Sequence, residues 1–307
     1  MTAGFDTSNY TTSAAVYDGS NIKNYKKLLT VKEHERGLRQ SEAVFQHTVN
    51  MPGLIEKMAC EFDLGRIKAI GVSARPRNME GSYMPCFLVG VNTAKAAASF
   101  CGCKCYETSH QAGHILAALY SANRLDLIHE KFIAFHVSGG TTEAVLVSPD
   151  KENILDAQIV AQSSDLKAGQ AIDRTGVLLG MRFPCGAELE KKAEKSSKEF
   201  KIKPSINGCY CSFSGIENKV KKMISAGEPP CDVAKFALDS VCVSLDAMLL
   251  AVIREHGNLP VLFAGGVSSN KKIRNTLSEK YGAVFAEPAF SSDNAAGVAV
   301  FAALKES

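Results

Sequence analysis

T-T-S-A-A-V-Y-D at Thr11 to Asp18 and T-T-E-A-V-L-V-S at Thr141 to Ser148 are the stretches that decide the fold. Each is a short apolar strand that leaves a polar turn, and each follows another strand, Gly4 to Thr7 in the first case and F-I-A-F-H-V-S (Phe132 to Ser138) in the second. The two stretches align at an offset of 130 residues (Thr141 minus Thr11). Working outward, a third extended run lies near Tyr25 to Thr30. Buried strands then recur as K-A-I-G-V-S-A (Lys68 to Ala74) and V-L-F-A-G-G-V (Val261 to Val267). Apolar periodicity predicts helices over 43–63, 88–100 and 111–123, and again over 169–181, 186–197, 215–226 and 230–256. A strand at Ala283 to Glu287 and a helix from Asp293 close the chain.

A hairpin, a buried strand and helices that recur in the same order predict an α/β protein of two duplicated halves. The expected division is residues 1–128, closed by the helix at 293–307, and residues 129–292. This layout is similar to that of actin-like (RNase H-like) nucleotide-binding proteins, two lobes with a cleft between them. The polar turn of each hairpin is suited to holding phosphate through backbone N–H groups.

Composition narrows the function. Of 307 residues, 46% are hydrophobic and 22% charged, which excludes disorder as the dominant state. A net charge of +3, from 35 basic and 32 acidic residues, is too mild to imply a polyanion partner by itself. With no Trp and 7% aromatics, base-stacking platforms are not prominent. No basic segment followed by an apolar run opens the chain, and no apolar stretch is read as reaching the roughly 18 residues of a membrane span, so the expectation is a cytoplasmic protein with no membrane partner. The ten cysteines, including Cys101, Cys103, Cys105 and the pair Cys209 and Cys211, contain no C-x-x-C spacing and read as reduced core fillers.

Five motifs carry chemistry. Ser109-His110-Gln111-Ala112-Gly113-His114 opens a helix, and two His four apart share one helical face, as a pair of metal ligands requires, although two ordinary helix-start histidines fit the same spacing. Gln111 and Gly113 stand where a zinc peptidase would need its glutamate, so peptide hydrolysis is excluded. V-S-G-G-T-T (Val137 to Thr142) puts adjacent glycines at a strand end, permitting close backbone approach and unusual dihedrals, although by itself it reads equally as a plain hairpin turn. Asp173 in A-G-Q-A-I-D-R-T reads as an acceptor for ribose or substrate hydroxyls or as a solvated helical acid paired with a nearby base. A-G-G-V-S-S-N (264–270) ends a buried strand and starts a helix near Asn270, where open α/β sheets collect ligands, although Ser269 or Asn270 also suits a plain N-cap. Asp293 in S-D-N-A-A reads as an N-cap or as the carboxylate completing a metal site with His110 and His114, a donor set suited to Fe(II), Zn or Mn.

Taken in order, these motifs resemble the TsaD-like family of tRNA threonylcarbamoyladenosine transferases over nearly the whole chain, most densely between 88 and 300. L-V-G-V-N-T-A-K at 88–95 and C-S-F-S-G-I-E-N-K at 211–219 are further points of resemblance. The resemblance implies His110, His114 and Asp293 as metal ligands, with one divalent cation, Fe or Zn. It implies His136, Val137, Ser138, Gly139, Gly140, Asp173, Gly186 and Asn270 as nucleotide or substrate contacts. It further implies threonylcarbamoyl-AMP as donor (with ATP as an alternative nucleotide), transfer to N6 of adenosine 37 in tRNA, and other subunits of a threonylcarbamoylation complex as partners.

The departures lie in the first half. Tyr10 and Thr11 stand where the family carries an acidic pair. G-L-R-Q-S-E-A (Gly37 to Ala43) replaces a Gly-Gly-Val-Val-Pro-Glu stretch, and R-P-R-N-M-E-G-S-Y-M-P-C (Arg75 to Cys86) replaces a short glycine-rich turn. They leave open a non-catalytic relative that binds nucleotide and partner subunits. The duplicated architecture alone leaves open an actin-like ATPase or small-molecule kinase. Arg36, Arg39, Arg75 and Arg77 are candidates for tRNA contact, whereas Lys191, Lys192, Lys195, Lys198, Lys201 and Lys203, with Glu188, Glu190 and Glu194 interspersed, read as a solvated face.

Overall fold

The computed structural model describes residues 1–8, 10–31, 38–291 and 295–307. The chain forms two compact units, one of Met1–Glu130, Ser148–Ala157 and Ala289–Ser307, the other of Lys131–Val147 and Gln158–Pro288. The boundary therefore falls two residues past the expected one, and residues 148–157 belong with the first unit rather than with 129–292.

In the first unit, β1 (Thr2–Asp6), β2 (Thr11–Tyr17) and β3 (Ile22–Leu28) form an antiparallel meander. The strands β4 (Ala69–Arg75) and β5 (Lys104–Ser109) add in parallel, giving the order β3-β2-β1-β4-β5. Helices α1 (Gln40–Glu61) and α2 (Phe87–Cys101) supply the long connections that parallel strands require. Alternate residues of β1 face opposite ways. Ala3 and Phe5 pack with Met51, Leu54 and Met58 of α1 and with Ala94 and Ala98 of α2. On the other face, Gly4 and its register partner Gly71 meet α9 (Ala296–Glu306). A Cβ on Gly71 would lie 1.9 Å from Val298 O, so only glycine lets the α9 backbone approach the sheet this closely.

The second unit repeats the plan. The strands β6 (Phe132–Val137), β7 (Thr142–Asp150), β8 (Ile154–Ser163), β11 (Val261–Ala264) and β12 (Val284–Phe285) run in the order β12-β11-β6-β7-β8, which is the first sheet read from the other edge. A small hairpin, β9 (Ser205–Asn207) and β10 (Tyr210–Ser212), extends it beyond β8. The duplication holds to the residue. Asp6 pairs with Ser13 in the first hairpin and His136 with Glu143 in the second, and both positions shift by 130 (136 minus 6, 143 minus 13). Phe135, Phe263 and Phe285 stack across β6, β11 and β12, with ring centroids 4.5 and 5.1 Å apart.

Helices α4 (Ala168–Leu178), α5 (Gly186–Ala193), α6 (Ser214–Ser225), α7 (Pro230–His256) and α8 (Lys271–Tyr281) complete this unit. One sequence expectation fails at α7, which is long and apolar enough to cross a membrane. Its apolar side chains, from Val233 to Val252, are spent in the core of the second unit, so it is the unit's central helix. Four strands fall outside the sequence expectations, β5, β8, β9 and β10. The strands β9 and β10 have three residues each, and the solvent-exposed alternation of β8 is weak. All ten cysteines are free thiols. Cys86, Cys185, Cys209, Cys211 and Cys242 are buried fillers, whereas Cys60 and Cys101 are exposed, contrary to the expectation for all ten.

Candidate active site

Helix α3 (His110–Ser121) starts where β5 ends. Ser109 caps it, its hydroxyl accepting from the Ala112 N–H at 3.1 Å. This fixes His110 at the first helical position and His114 one turn later. Their Nε2 atoms lie 2.9 Å apart, with the rings edge-on. On the far side of the His110 ring, Nδ1 lies 2.8 Å from Oδ2 of Asp6, the last residue of β1. Asp6 is buried, at 1% exposure, and it also accepts from the Ser8 N–H at 2.8 Å and from the hydroxyls of Ser8 and of Ser73 at the end of β4. Burial by itself would raise this carboxyl. The His110 ring and the two serine hydroxyls outweigh it and hold the group below the ordinary carboxylate range. Ser8 Oγ also stands 3.5 Å from His110 Nε2. An ionised Asp6 can only accept, so the Nδ1 of His110 carries a hydrogen, and in the neutral ring the Nε2 lone pair then faces His114.

Among the described residues no third metal-ligating side chain joins the two Nε2 atoms. Asp293, the expected third ligand, lies outside the described residues, as do Arg36 and Gly37. The chain that follows Asp293 is held against the histidine helix. Gly297 of α9 packs so tightly on α3 that a Cβ would fall 1.7 Å from the carbonyl oxygen of Gly113, the residue before His114.

In the second unit, His136 and Val137 end β6, and Ser138, Gly139 and Gly140 lie in the turn to β7. The Ser138 hydroxyl accepts from the N–H groups of Gly140 (3.3 Å) and Thr141 (3.0 Å), and the Ser138 N–H donates to Thr141 O at 2.7 Å. Two glycines form the floor under the turn. A Cβ on Gly169 would meet Gly139 N at 2.6 Å, and one on Gly265, at φ +98°, would meet Val137 O at 2.3 Å. Gly139 and Gly140 differ from the expectation. Neither has positive φ, and a Cβ on either meets nothing within 4 Å. Internal packing does not demand glycine there, and the space above the backbone is open. Asp173 accepts from the Cys185 N–H at 2.8 Å, which brings it to the start of α5 beside Gly186. Glu190 of α5 accepts from the Lys271 N–H at 2.8 Å, tying α5 to the start of α8, where Asn270 serves as the N-cap and accepts from the Ile273 N–H at 3.1 Å. The plain cap is thus part of what Asn270 does, and Asp173 has a structural bond as well.

The family model for TsaD, tRNA N6-adenosine threonylcarbamoyltransferase, matches residues 23–300. The chain belongs to this family. Two relatives named tRNA N6-adenosine threonylcarbamoyltransferase are 26% and 27% identical to it. The one from Christiangramia forsetii matches over 94% of this chain and 88% of its own length, and the one from Neorickettsia sennetsu over 96% and 91%. Among solved structures, (R)-2-hydroxyglutaryl-CoA dehydratase component A of Acidaminococcus fermentans superposes with a TM-score of 0.56 at 15% identity, covering 99% of this chain and 98% of that one. A ROK family glucokinase from Streptomyces griseus gives 0.52 at 12% identity, covering 99% of each chain. Full-length HypF gives 0.59 at 12% identity, covering 98% of this chain and 54% of that one. At such identities the likeness speaks for the fold alone. It is the actin-like ATPase and sugar-kinase fold.

The sequence reading of this TsaD-family chain missed Asp6, Ser8 and Ser73 as partners of the histidines. A signal for the first two was present. At the offset of 130, Asp6-Thr7-Ser8 falls on His136-Val137-Ser138, so the end of the first strand bears polar groups in both halves. Of the candidate arginines, Arg75 donates to Asn78 at 2.9 Å and the Arg77 N–H donates to the Ser82 hydroxyl at 3.0 Å, both within the segment before α2. That segment is tied to the histidine helix by the Gln111 N–H, which donates to Pro76 O at 3.1 Å.

Proposed function

We propose that the chain transfers a threonylcarbamoyl group from threonylcarbamoyl-AMP to N6 of an adenosine in tRNA, at position 37, with a divalent cation, Fe or Zn, held by His110, His114 and Asp293 and with other subunits as partners. The match to the family over residues 23–300 carries this reading. The donor set suits the cation. His110 and His114 would hold such an ion through their Nε2 atoms, which face each other at 2.9 Å and are donors suited to it. When bound, such an ion supplies Lewis-acid polarisation of the acyl donor.

The chain's own residues do the rest. The open backbone at Gly139, Gly140 and Gly186 admits a phosphate or ribose without steric objection. The helix-start amides bracketed by Asp173 and Asn270 favour negative charge. The adenosine amine attacks the acyl carbon, the bond from that carbon to the adenylate oxygen breaks, AMP leaves and the amine proton is lost. No protein nucleophile is needed. Neither Gln111 nor Gly113 can serve as the base of a peptidase.

Transfer of labelled threonine to tRNA, with an enzyme supplying threonylcarbamoyl-AMP and with the partner subunits present, tests the proposal. Label in tRNA that disappears with His110→Ala is the expected result. No transfer by the wild-type protein under those conditions defeats it. The non-catalytic alternative draws on one observation. The family's acidic pair is absent: where it would stand, Tyr10 is exposed and Thr11 is buried.

A further inference from the structure

We infer that Asp6 is a positioning residue for the histidine pair: it holds His110 as the Nδ1–H tautomer, so that Nε2 presents its lone pair toward His114 and the cation between them. The inference rests on the proposal that His110 and His114 bind a cation. It adds a residue from the opposite end of the unit, 104 positions away in sequence.

Three observations carry it. The first is direction. Asp6 meets His110 at Nδ1, 2.8 Å away, while Nε2 on the other side of the ring faces His114 at 2.9 Å. A carboxylate on the Nδ1 side cannot also occupy the gap between the Nε2 atoms, so Asp6 orients a ligand and is not one. The second is saturation. Oδ1 accepts from the Ser8 N–H and hydroxyl, and Oδ2 from the Ser73 hydroxyl and His110. Every donor is an N–H or O–H, so the group acts only as an acceptor, and its partners come from three places, the turn after β1, β4 and α3. The third is support for the ring itself. Phe87 stands edge-on to His110, with centroids 6.3 Å apart, and the Thr7 hydroxyl beside Asp6 donates to Cys86 O at 2.8 Å. Phe87 and the strand end are therefore tied together. A carboxylate behind a metal-binding imidazole fixes its tautomer and raises its basicity, and loss of such a partner costs roughly 10–100-fold in metal affinity.

The test uses the full chain and Zn2+ alone, measured by competition with a chelating dye, together with nitrogen NMR of the histidine rings in metal-free protein. Wild-type His110 should show the Nδ1–H tautomer. Asp6→Ala should lose that preference and bind Zn2+ about 10–100-fold more weakly, with Asp6→Asn intermediate because its amide oxygen still accepts. His110→Ala should abolish specific binding. Zn2+ binding that survives His110→Ala sinks the underlying metal-site reading. If His110→Ala abolishes binding but folded Asp6→Ala and Asp6→Asn bind Zn2+ as the wild type does, this inference alone fails. If Asp6→Ala does not fold, the wild-type spectrum decides, since an Nε2–H tautomer of His110 refutes the assignment.

Discussion

Gly169→Ala is the perturbation that most directly tests how the second unit holds its turn. The added Cβ would sit 2.6, 2.7 and 2.8 Å from three backbone atoms of Ser138 and Gly139. To restore an ordinary contact of 3.4 Å the turn must withdraw by 0.6–0.8 Å (3.4 minus 2.8, 3.4 minus 2.6). That movement stretches two hydrogen bonds, Gly169 N–H to Ser138 O at 3.1 Å and Ala168 N–H to Thr142 Oγ1 at 2.9 Å. They are worth about 1 kcal/mol each. Residual strain adds about 1 kcal/mol, and the better helix propensity of alanine returns about 0.5–1 kcal/mol. The net expectation is a loss of about 2 kcal/mol, read by urea unfolding followed by circular dichroism. Gly139→Ala is the internal control. Its Cβ enters open space, so stability should change by less than about 0.5 kcal/mol, while AMP binding weakens because the methyl group fills the approach to the backbone. Gly169→Ala as stable as the wild type, or Gly139→Ala equally damaging, would refute the reasoning.

Two further outcomes follow from the same structure. Gly297→Ala should destabilise the first unit by about 3 kcal/mol, at the severe end of overpacking, and weaken Zn2+ binding, because α9 must lift away from Gly113 O and the His114 turn; unfolding and dye competition on one preparation check both. For pH, burial works against ionisation of Asp165, but the hydroxyls of Ser212 and Ser214 and the N–H groups of Phe213 and Ser214 bring it down from 3.8 to about 2. Because the folded value lies below the unfolded one, its contribution is present above about pH 4 and lost as pH falls toward 2. The difference in stability between wild type and Asp165→Ala should therefore shrink across that window, and a difference that stays constant with pH refutes the assignment.

Much of this protein was legible in its sequence because the relevant signals are local. The offset of 130 between the hairpins, the 27-residue α7 from Pro230 to His256 and the His110–His114 spacing all follow from periodicities of two and 3.6, which need no knowledge of the rest of the chain. The same patterns foretold two similar α/β halves, each opening with a hairpin and carrying a later buried strand. Short strands such as β9 and β10 escaped because three residues carry no period.

Tertiary structure decided what depends on which distant atoms meet. Gly139 and Gly169 look alike in sequence, yet one faces open space and the other a backbone 2.6 Å away. Asp6 looks like an ordinary strand-end acid until β1, β4 and α3 converge and place it on His110 Nδ1. Periodicity fixes the face on which a side chain lies, but its partner across the sheet is fixed only when the strands pair and the helices settle. That is why the sequence alone determined the elements, their repetition and the two imidazoles, while the orienting carboxylate and the glycine floor were decided by the folded chain.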